Sequence, residues 1–274
     1  MPATAPLPKA RRDQADPPLL EVDGLSVRFG AQTVLRDISL DIPAGQTLVV
    51  LGESGCGKTV LLKTMIGLVK PSRGEVRFEG KALSAMRERD LAHLRTKYGF
   101  VFQGAALFDS MTIADNIAFP LREHTRISAA EAAAIVASLV DEVGLPRTVL
   151  AKKPVEISGG MRKRAGLARA LALDPLLILY DEPTTGLDPI MTDVINELIL
   201  RVRERPRVTS VVVTHDMASA LWISDRIAMI HKGFVIFQGT PDEIRRCTDP
   251  RVKDFVEGNA PSSDNVETLL RYGG

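Results

Sequence analysis

The chain has 274 residues, 45% of them apolar and 25% charged, an ordinary globular composition with enough apolar material for one large core or two smaller ones. Its 35 basic and 34 acidic residues leave a formal net charge of +1, so overall electrostatics recommend neither nucleic acid nor an anionic membrane surface as the main partner. Cys56 and Cys247 lie far apart without CxxC spacing, which argues against a disulfide framework or a zinc site and fits a reducing cytosol. No apolar run approaches the roughly 18–20 residues that cross a bilayer, so a soluble, internal protein is expected.

The first eighteen residues hold five prolines and almost nothing to bury, and 1–18 therefore read as a disordered leader. From about residue 19 the pattern turns β-like: LLEVDGLSVRFG and TVLRDISLDIPAG are short, β-branched runs punctuated by glycine, read as antiparallel strands. TLVVLGESGCGKTVLLKTMIGL then sets an apolar strand, a glycine-rich turn and an amphipathic helix in immediate succession, the opening of a βα unit. GEVRFEG returns to strand. From about 84 to 172 a helical insertion is expected, in which SAAEAAAIVASLVDEVG starts with a capping box from Ser128 to Glu131 and ends at Gly144. LLILYDE and VTSVVVTHD are continuous apolar runs, as in strands buried on both faces of a parallel sheet. Between them PIMTDVINELILRVRER carries a helical stripe of Met191, Ile195, Leu198 and Val202, and RIAMIHKGFVIFQG closes as a hairpin about Lys232-Gly233.

The run Gly52-Glu53-Ser54-Gly55-Cys56-Gly57-Lys58-Thr59 fits GxxxxGK[ST] after a strand and before a helix, the context this motif requires. Glycines let successive backbone N–H groups turn inward around phosphate oxygens, and the helix N-terminus adds partial positive charge. Lys58 is placed to reach the β- and γ-phosphates of ATP, and Thr59 offers a hydroxyl to Mg²⁺, a hard ion that prefers oxygen. Asp181 emerges at the end of the LLILYDE strand, where ligands of open α/β sheets collect, and is the acid expected to hold Mg²⁺ through its waters. Glu182 follows and is expected to orient and deprotonate the water that attacks the γ-phosphate. His215, just past SVVVT, occupies the same sheet edge and is expected to hydrogen-bond the γ-phosphate. Gln103, ending the apolar run YGFVFQG where the helical insertion begins, can touch Mg²⁺ or the attacking water.

Ser158-Gly159-Gly160 opens a helix with an apolar stripe of Met161, Ala165, Ala168 and Ala172, so its N–H groups make a second anion site at a helix N-terminus. One chain then has two phosphate sites. The simplest use of both is a head-to-tail homodimer in which Ser158 of each subunit closes the other's ATP.

Taken together, GESGCGKT, Gln103, ISGGM, the Asp181-Glu182 pair, TGLD and His215 resemble the ATP-binding cassette family, in that family's order and over about residues 20–258. The resemblance implies an α/β P-loop NTPase fold with a mixed core sheet, an antiparallel β subdomain and a helical subdomain, in an ATPase domain at 19–258. It also implies transmembrane permease subunits docked near the Gln103 segment, and it makes Phe29 in VRFG look like the aromatic that stacks on adenine. Two departures stand out: Met161 replaces the glutamine of LSGGQ, and Val60 replaces a hydroxyl residue after the Walker threonine. Neither touches Lys58, Thr59, Asp181 or Glu182, so an active ATPase is expected.

ISGGMRKRAGLARALALDP, FQGAALFDSMTIADNIAFPLREH and DPRVKDFVEG further resemble the Mla/Mce branch of that family, which implies lipid cargo, an MCE-domain substrate-binding protein reached through the permease, and a place on the cytoplasmic face of the inner membrane. A soluble cassette protein of DNA repair or translation, a non-catalytic regulatory module and an importer of another cargo are the rival readings. No nucleic-acid partner is expected. The tail, 259–274, places Val266, Leu269, Leu270 and Tyr272 at helical spacing after a linker, and is expected to dock on the partner ATPase.

Overall fold

The computed structural model describes residues 17–205 and 208–258. Of the leader expected at 1–18, residues 1–16 lie outside the described residues, as does the tail at 259–274 that is expected to dock on the partner.

Two sheets divide the work. β1 (Leu20–Phe29), β2 (Gln32–Ile42), β4 (Arg73–Phe78) and the short β5 (Lys81–Ala82) form an antiparallel sheet in the order β2-β1-β4-β5. The second sheet contains β3 (Thr47–Leu51), β6 (Tyr98–Val101), β7 (Leu177–Asp181), β8 (Thr209–Thr214), β9 (Arg226–His231) and β10 (Phe234–Gly239), ordered β10-β9-β3-β8-β7-β6. Its strands run parallel except for β10, which returns antiparallel to β9. The hairpin turn between them falls at Lys232 (φ 48°) and Gly233 (φ 83°), the doubly positive pair that matches strand twist.

β3, β7 and β8 are buried along their whole length, and their alternate side chains feed two separate cores. Val49, Leu51, Ile178, Tyr180 and Val212 face a cluster with the helices, whereas Leu48, Val50, Leu177, Leu179, Val211 and Val213 face the antiparallel sheet and α1 (Lys58–Met65). Leu61, Leu62 and Met65 of α1 fill the space between the two sheets, fixing the helix start at the C-terminal end of β3.

The span from 84 to 172 is not helical throughout. After α2 (Glu88–Arg95) comes β6, which pairs with β7 as the edge strand of the parallel sheet. The short run YGFV reaches that position because Gly99 admits a close neighbour: a Cβ there would stand 2.7 Å from the Ala170 carbonyl oxygen. The helices α3 (Ile113–His124), α4 (Ala129–Glu142) and α5 (Gly159–Leu171) follow. Thr112 caps α3, and the Ser128–Glu131 capping box starts α4 as its sequence requires. Buried Asn116 ties the loop before α3, accepting from Phe108 N at 2.7 Å and donating to Phe108 O and Thr112 O. α6 (Pro189–Arg203) is the crossover helix, with Ile195, Leu198 and Val202 buried; α7 (Met217–Ile223), α8 (Pro241–Arg245) and α9 (Pro250–Glu257) complete the chain. Among the described residues no helix is long and apolar enough to cross a membrane.

Candidate functional site

β3, β7 and β8 end together, and the loops beyond them enclose a cleft of about 410 Å³ lined by Ser54, Gly55, Gly57, Lys58, Thr59, Gln103, Glu182 and His215, with Val34, Val60 and Thr185. The turn after β3 needs glycine at Gly57, where φ is 106° and a Cβ would lie 2.7 Å from Leu35. Lys58, 5% exposed, donates from Nζ to Gly52 O at 2.7 Å and Glu53 O at 2.9 Å. Its ammonium also lies 3.2 Å from Glu182 Oε1.

Thr59 Oγ1 donates to Asp181 Oδ1 at 2.9 Å. Burial pushes the Asp181 carboxyl above the ordinary aspartate range, with the Thr59 hydrogen bond opposing that shift and the Glu182 charge adding to it. The buried Glu182 adopts φ 49°, a left-handed conformation that costs a non-glycine residue of order 1–3 kcal/mol and persists only where its surroundings impose it. Glu182 N donates to Val213 O at 3.0 Å, and Glu182 Oε2 lies 2.8 Å from His215 Nδ1 and accepts from Thr185 Oγ1 at 3.2 Å. His215, expected from the sequence to face the γ-phosphate, therefore has its Nδ1 on the Glu182 carboxylate. Gln103 is exposed in the turn beyond β6 and lines the same cleft.

Oxygen and ammonium groups of this kind fit Mg²⁺ and a triphosphate. Thr59 Oγ1 and the Asp181 carboxylate, joined by a 2.9 Å hydrogen bond, are oxygen donors of the kind that would hold Mg²⁺ directly or through its waters. Lys58, resting on two carbonyls and a carboxylate, has the donors that phosphate oxygens take up.

Ser158, Gly159 and Gly160 do not line that cleft. Ser158 caps α5, accepting from Met161 N at 3.3 Å, and stays exposed with Gly159. Gly160 is buried against α6: a Cβ would meet Met191 Cε at 2.7 Å. Phe29, 51% exposed at the end of β1, also stands outside the lining.

Beyond β6 lies a second hollow of about 300 Å³, floored by Phe100 and Phe102 and walled by Phe108, Phe119, Pro120 and Arg169. Phe108 and Phe119 lie with ring centroids 4.9 Å apart and their planes tilted by 53°, whereas Ile113 is core and Leu107 packs against it. Arg169 of α5 donates to the carbonyls of Ala105 and Ala106, two left-handed residues that shape the loop after Gln103.

The sequence profile of the ABC transporter family matches residues 35–185. The chain is 39% identical over 260 residues to the intermembrane phospholipid transport system ATP-binding protein MlaF of Haemophilus influenzae, covering 92% of this chain and 98% of that one. The chain is an ABC transporter ATPase. This cassette is also 43% identical to the probable ribonucleotide transport ATP-binding protein mkl of Mycobacterium leprae, over 87% of its own length and 69% of that protein's. A dimeric post-hydrolysis structure of the ATP-binding cassette MJ0796, bound to ADP and Pi, superposes with a TM-score of 0.75 at 29% identity, covering 81% of this chain and 98% of that one.

Sequence reasoning passed over three residues of the cassette's site: Thr185, Arg169 and Lys163. Lys163 Nζ is buried and donates to Pro183 O and Thr185 O, each at 2.7 Å. The available signal was its spacing, because Gly160, Lys163, Leu167 and Leu171 share the buried face of α5.

Cys56 lies inside the phosphate loop. Burial raises its thiol pKa above the ordinary value, with the Lys58 charge opposing, so the reactive thiolate is scarcer than in a free cysteine. Treated with iodoacetamide at pH 7.5 and followed by mass spectrometry, Cys56 should label several-fold more slowly than glutathione in the same tube; labelling at the glutathione rate or faster would contradict this environment.

Proposed function

We propose that this cassette works as a head-to-tail homodimer on the cytoplasmic face of the inner membrane, hydrolysing Mg²⁺-ATP to drive lipid movement through permease subunits. The observation that carries the dimer is the separation of the two anion sites. Ser158 and Gly159 at the start of α5 are exposed and outside their own cleft, and nearby stand strongly exposed apolar residues, Val155 at 82% in the turn before α5 and Ile190 at 76% in the first turn of α6, the two helix starts meeting at Gly160 and Met191. The dimeric form of the similar cassette MJ0796 supports a homodimer.

In each composite site the loop 52–59 binds the triphosphate, Lys58 exchanging its Glu182 contact for phosphate oxygens. Thr59, Asp181 and Gln103 would hold Mg²⁺, which offsets phosphate charge when bound. Glu182, released from Lys58, accepts a proton from the attacking water as its oxygen bonds to the γ-phosphorus and the bond to the ADP oxygen breaks. His215 Nδ1 keeps the Glu182 carboxylate oriented, Phe29 stacks on adenine, and Ser158 of the other subunit closes the γ-phosphate side.

The helical subdomain, about 84–172 with β6 inside it, would present the aromatic hollow beside Gln103 to a permease helix. Phospholipid cargo is supported by the near end-to-end match with MlaF, and an MCE-domain protein would then complete the system. The name of the mkl relative supplies the second reading, a ribonucleotide system.

Glu182→Gln should retain ATP binding while slowing hydrolysis by about 10²–10⁴-fold, the usual worth of a positioned base; turnover at the wild-type rate in the purified variant would remove Glu182 from that role. Complex purified from inner membranes should carry permease subunits and phospholipid, and Phe108→Glu, at the hollow, should abolish permease-dependent stimulation of ATPase activity while sparing the basal rate. Normal stimulation in that variant would place the permease contact elsewhere, and stimulation by ribonucleotide with no response to phospholipid would favour the second reading.

A further inference from the structure

The Glu182 turn is gripped from behind by a residue with no part in binding nucleotide. Lys163 lies on the inward face of α5, 9% exposed, a site where an ammonium is tolerated only if its donors are taken up. They are taken up by Pro183 O and Thr185 O, both at 2.7 Å, the carbonyls one and three residues beyond Glu182. Glu182 itself is held at φ 49°, and Thr185, whose carbonyl Lys163 holds, donates through its hydroxyl to Glu182 Oε2. A left-handed glutamate needs its neighbours to impose that geometry, and the carbonyls on its C-terminal side are fixed by this one ammonium.

We propose that Lys163 is a positioning residue for Glu182, clamping the 183–185 turn so that the carboxylate points at the phosphate loop. The inference rests on the reading of Glu182 as the base. It also has a consequence for the dimer. α5 begins at Ser158, and Gly160 in its first turn sits against Met191 near the start of α6, whose N-cap Asp188 closes the loop that begins at Pro183. The start of α5, proposed to face the partner's nucleotide, and the turn that carries this subunit's own Glu182 are thus joined through Lys163.

The test compares Lys163→Met, which keeps the side chain's length and removes its donors, with Lys163→Arg, which keeps the donors, each in the wild-type and Glu182→Gln backgrounds. ATP affinity, thermal unfolding and single-turnover hydrolysis are measured for all. Lys163→Met should lower the hydrolysis rate about 10–100-fold, the scale of loss when a reacting group is misplaced by about 1 Å, with ATP affinity within threefold of wild type. Lys163→Arg should recover most of the rate. In the Glu182→Gln background, Lys163→Met should add less than a threefold loss, because no carboxylate remains to be aimed. An unchanged rate in Lys163→Met, or the same fold loss in both backgrounds, would overturn the proposal. Should Lys163→Met fail to fold, Lys163→Ala, which also removes the donors, carries the same comparison. Wild-type turnover in Glu182→Gln alone would defeat the base assignment and the Lys163 proposal with it, whereas slow turnover in Glu182→Gln beside an unchanged rate in Lys163→Met would overturn the Lys163 proposal alone.

Discussion

A buried ammonium governs the arrangement of this site. Lys58 stands at the foot of α1 with 5% of its surface exposed, and a charge taken that far from water must be met by carbonyls and a counter-ion. In this structure that counter-ion is Glu182, the carboxylate proposed as the base at the γ-phosphate. On the proposed reading, a bound triphosphate would replace that counter-ion and free the acid. Substrate entry and activation of the base would then be one exchange of partners, with His215 and Thr185 both in contact with the Glu182 carboxylate.

That exchange needs fixed backbone on both sides, which the two cores provide. Alternate side chains of β3, β7 and β8 lock the parallel strands between the helical layer and the antiparallel sheet, so the loops carrying Lys58, Asp181 and His215 leave rigid supports side by side. α5 then ties the periphery to this centre at three points along one helix: its capped N-terminus at Ser158, Lys163 on the Glu182 turn, and Arg169 on the loop after Gln103. Packed interiors resist local deformation, so Lys163 and Arg169 hold these two loops in fixed relation to the helix.

Much of this was legible in the sequence because it is written in local rules. The GESGCGKT loop, the Ser128–Glu131 box, the doubly buried strands and the Lys232-Gly233 hairpin each depend on neighbours close in the chain, and each stands where its pattern puts it. What the sequence hid depends on contacts made across the fold. YGFV is too short to announce an edge strand of the parallel sheet, and it joins that sheet only because Gly99 lets α5 pass at close range. Lys163 and Arg169 read as a basic helix face, whereas both spend their donors on carbonyls of distant turns. His215 sits at the expected sheet edge, but its Nδ1 partner is the neighbouring carboxylate, a pairing that strand patterns do not encode.

The central claim is that catalysis is shared between two copies of the chain, with Ser158 of one completing the Lys58 site of the other. It is tested most directly by mixing two inactive variants, Ser158→Arg and Lys58→Ala, and crosslinking the resulting heterodimers. A mixed dimer contains one pairing of intact Lys58 with intact Ser158 across the interface, and neither variant alone contains any. The account predicts that ATPase activity absent from each variant appears in the mixture, together with a crosslink from Ser158→Cys to Ser54→Cys on the other subunit in an otherwise Cys-free chain. A mixture as inactive as its components, with no crosslink between subunits at these positions, would contradict it.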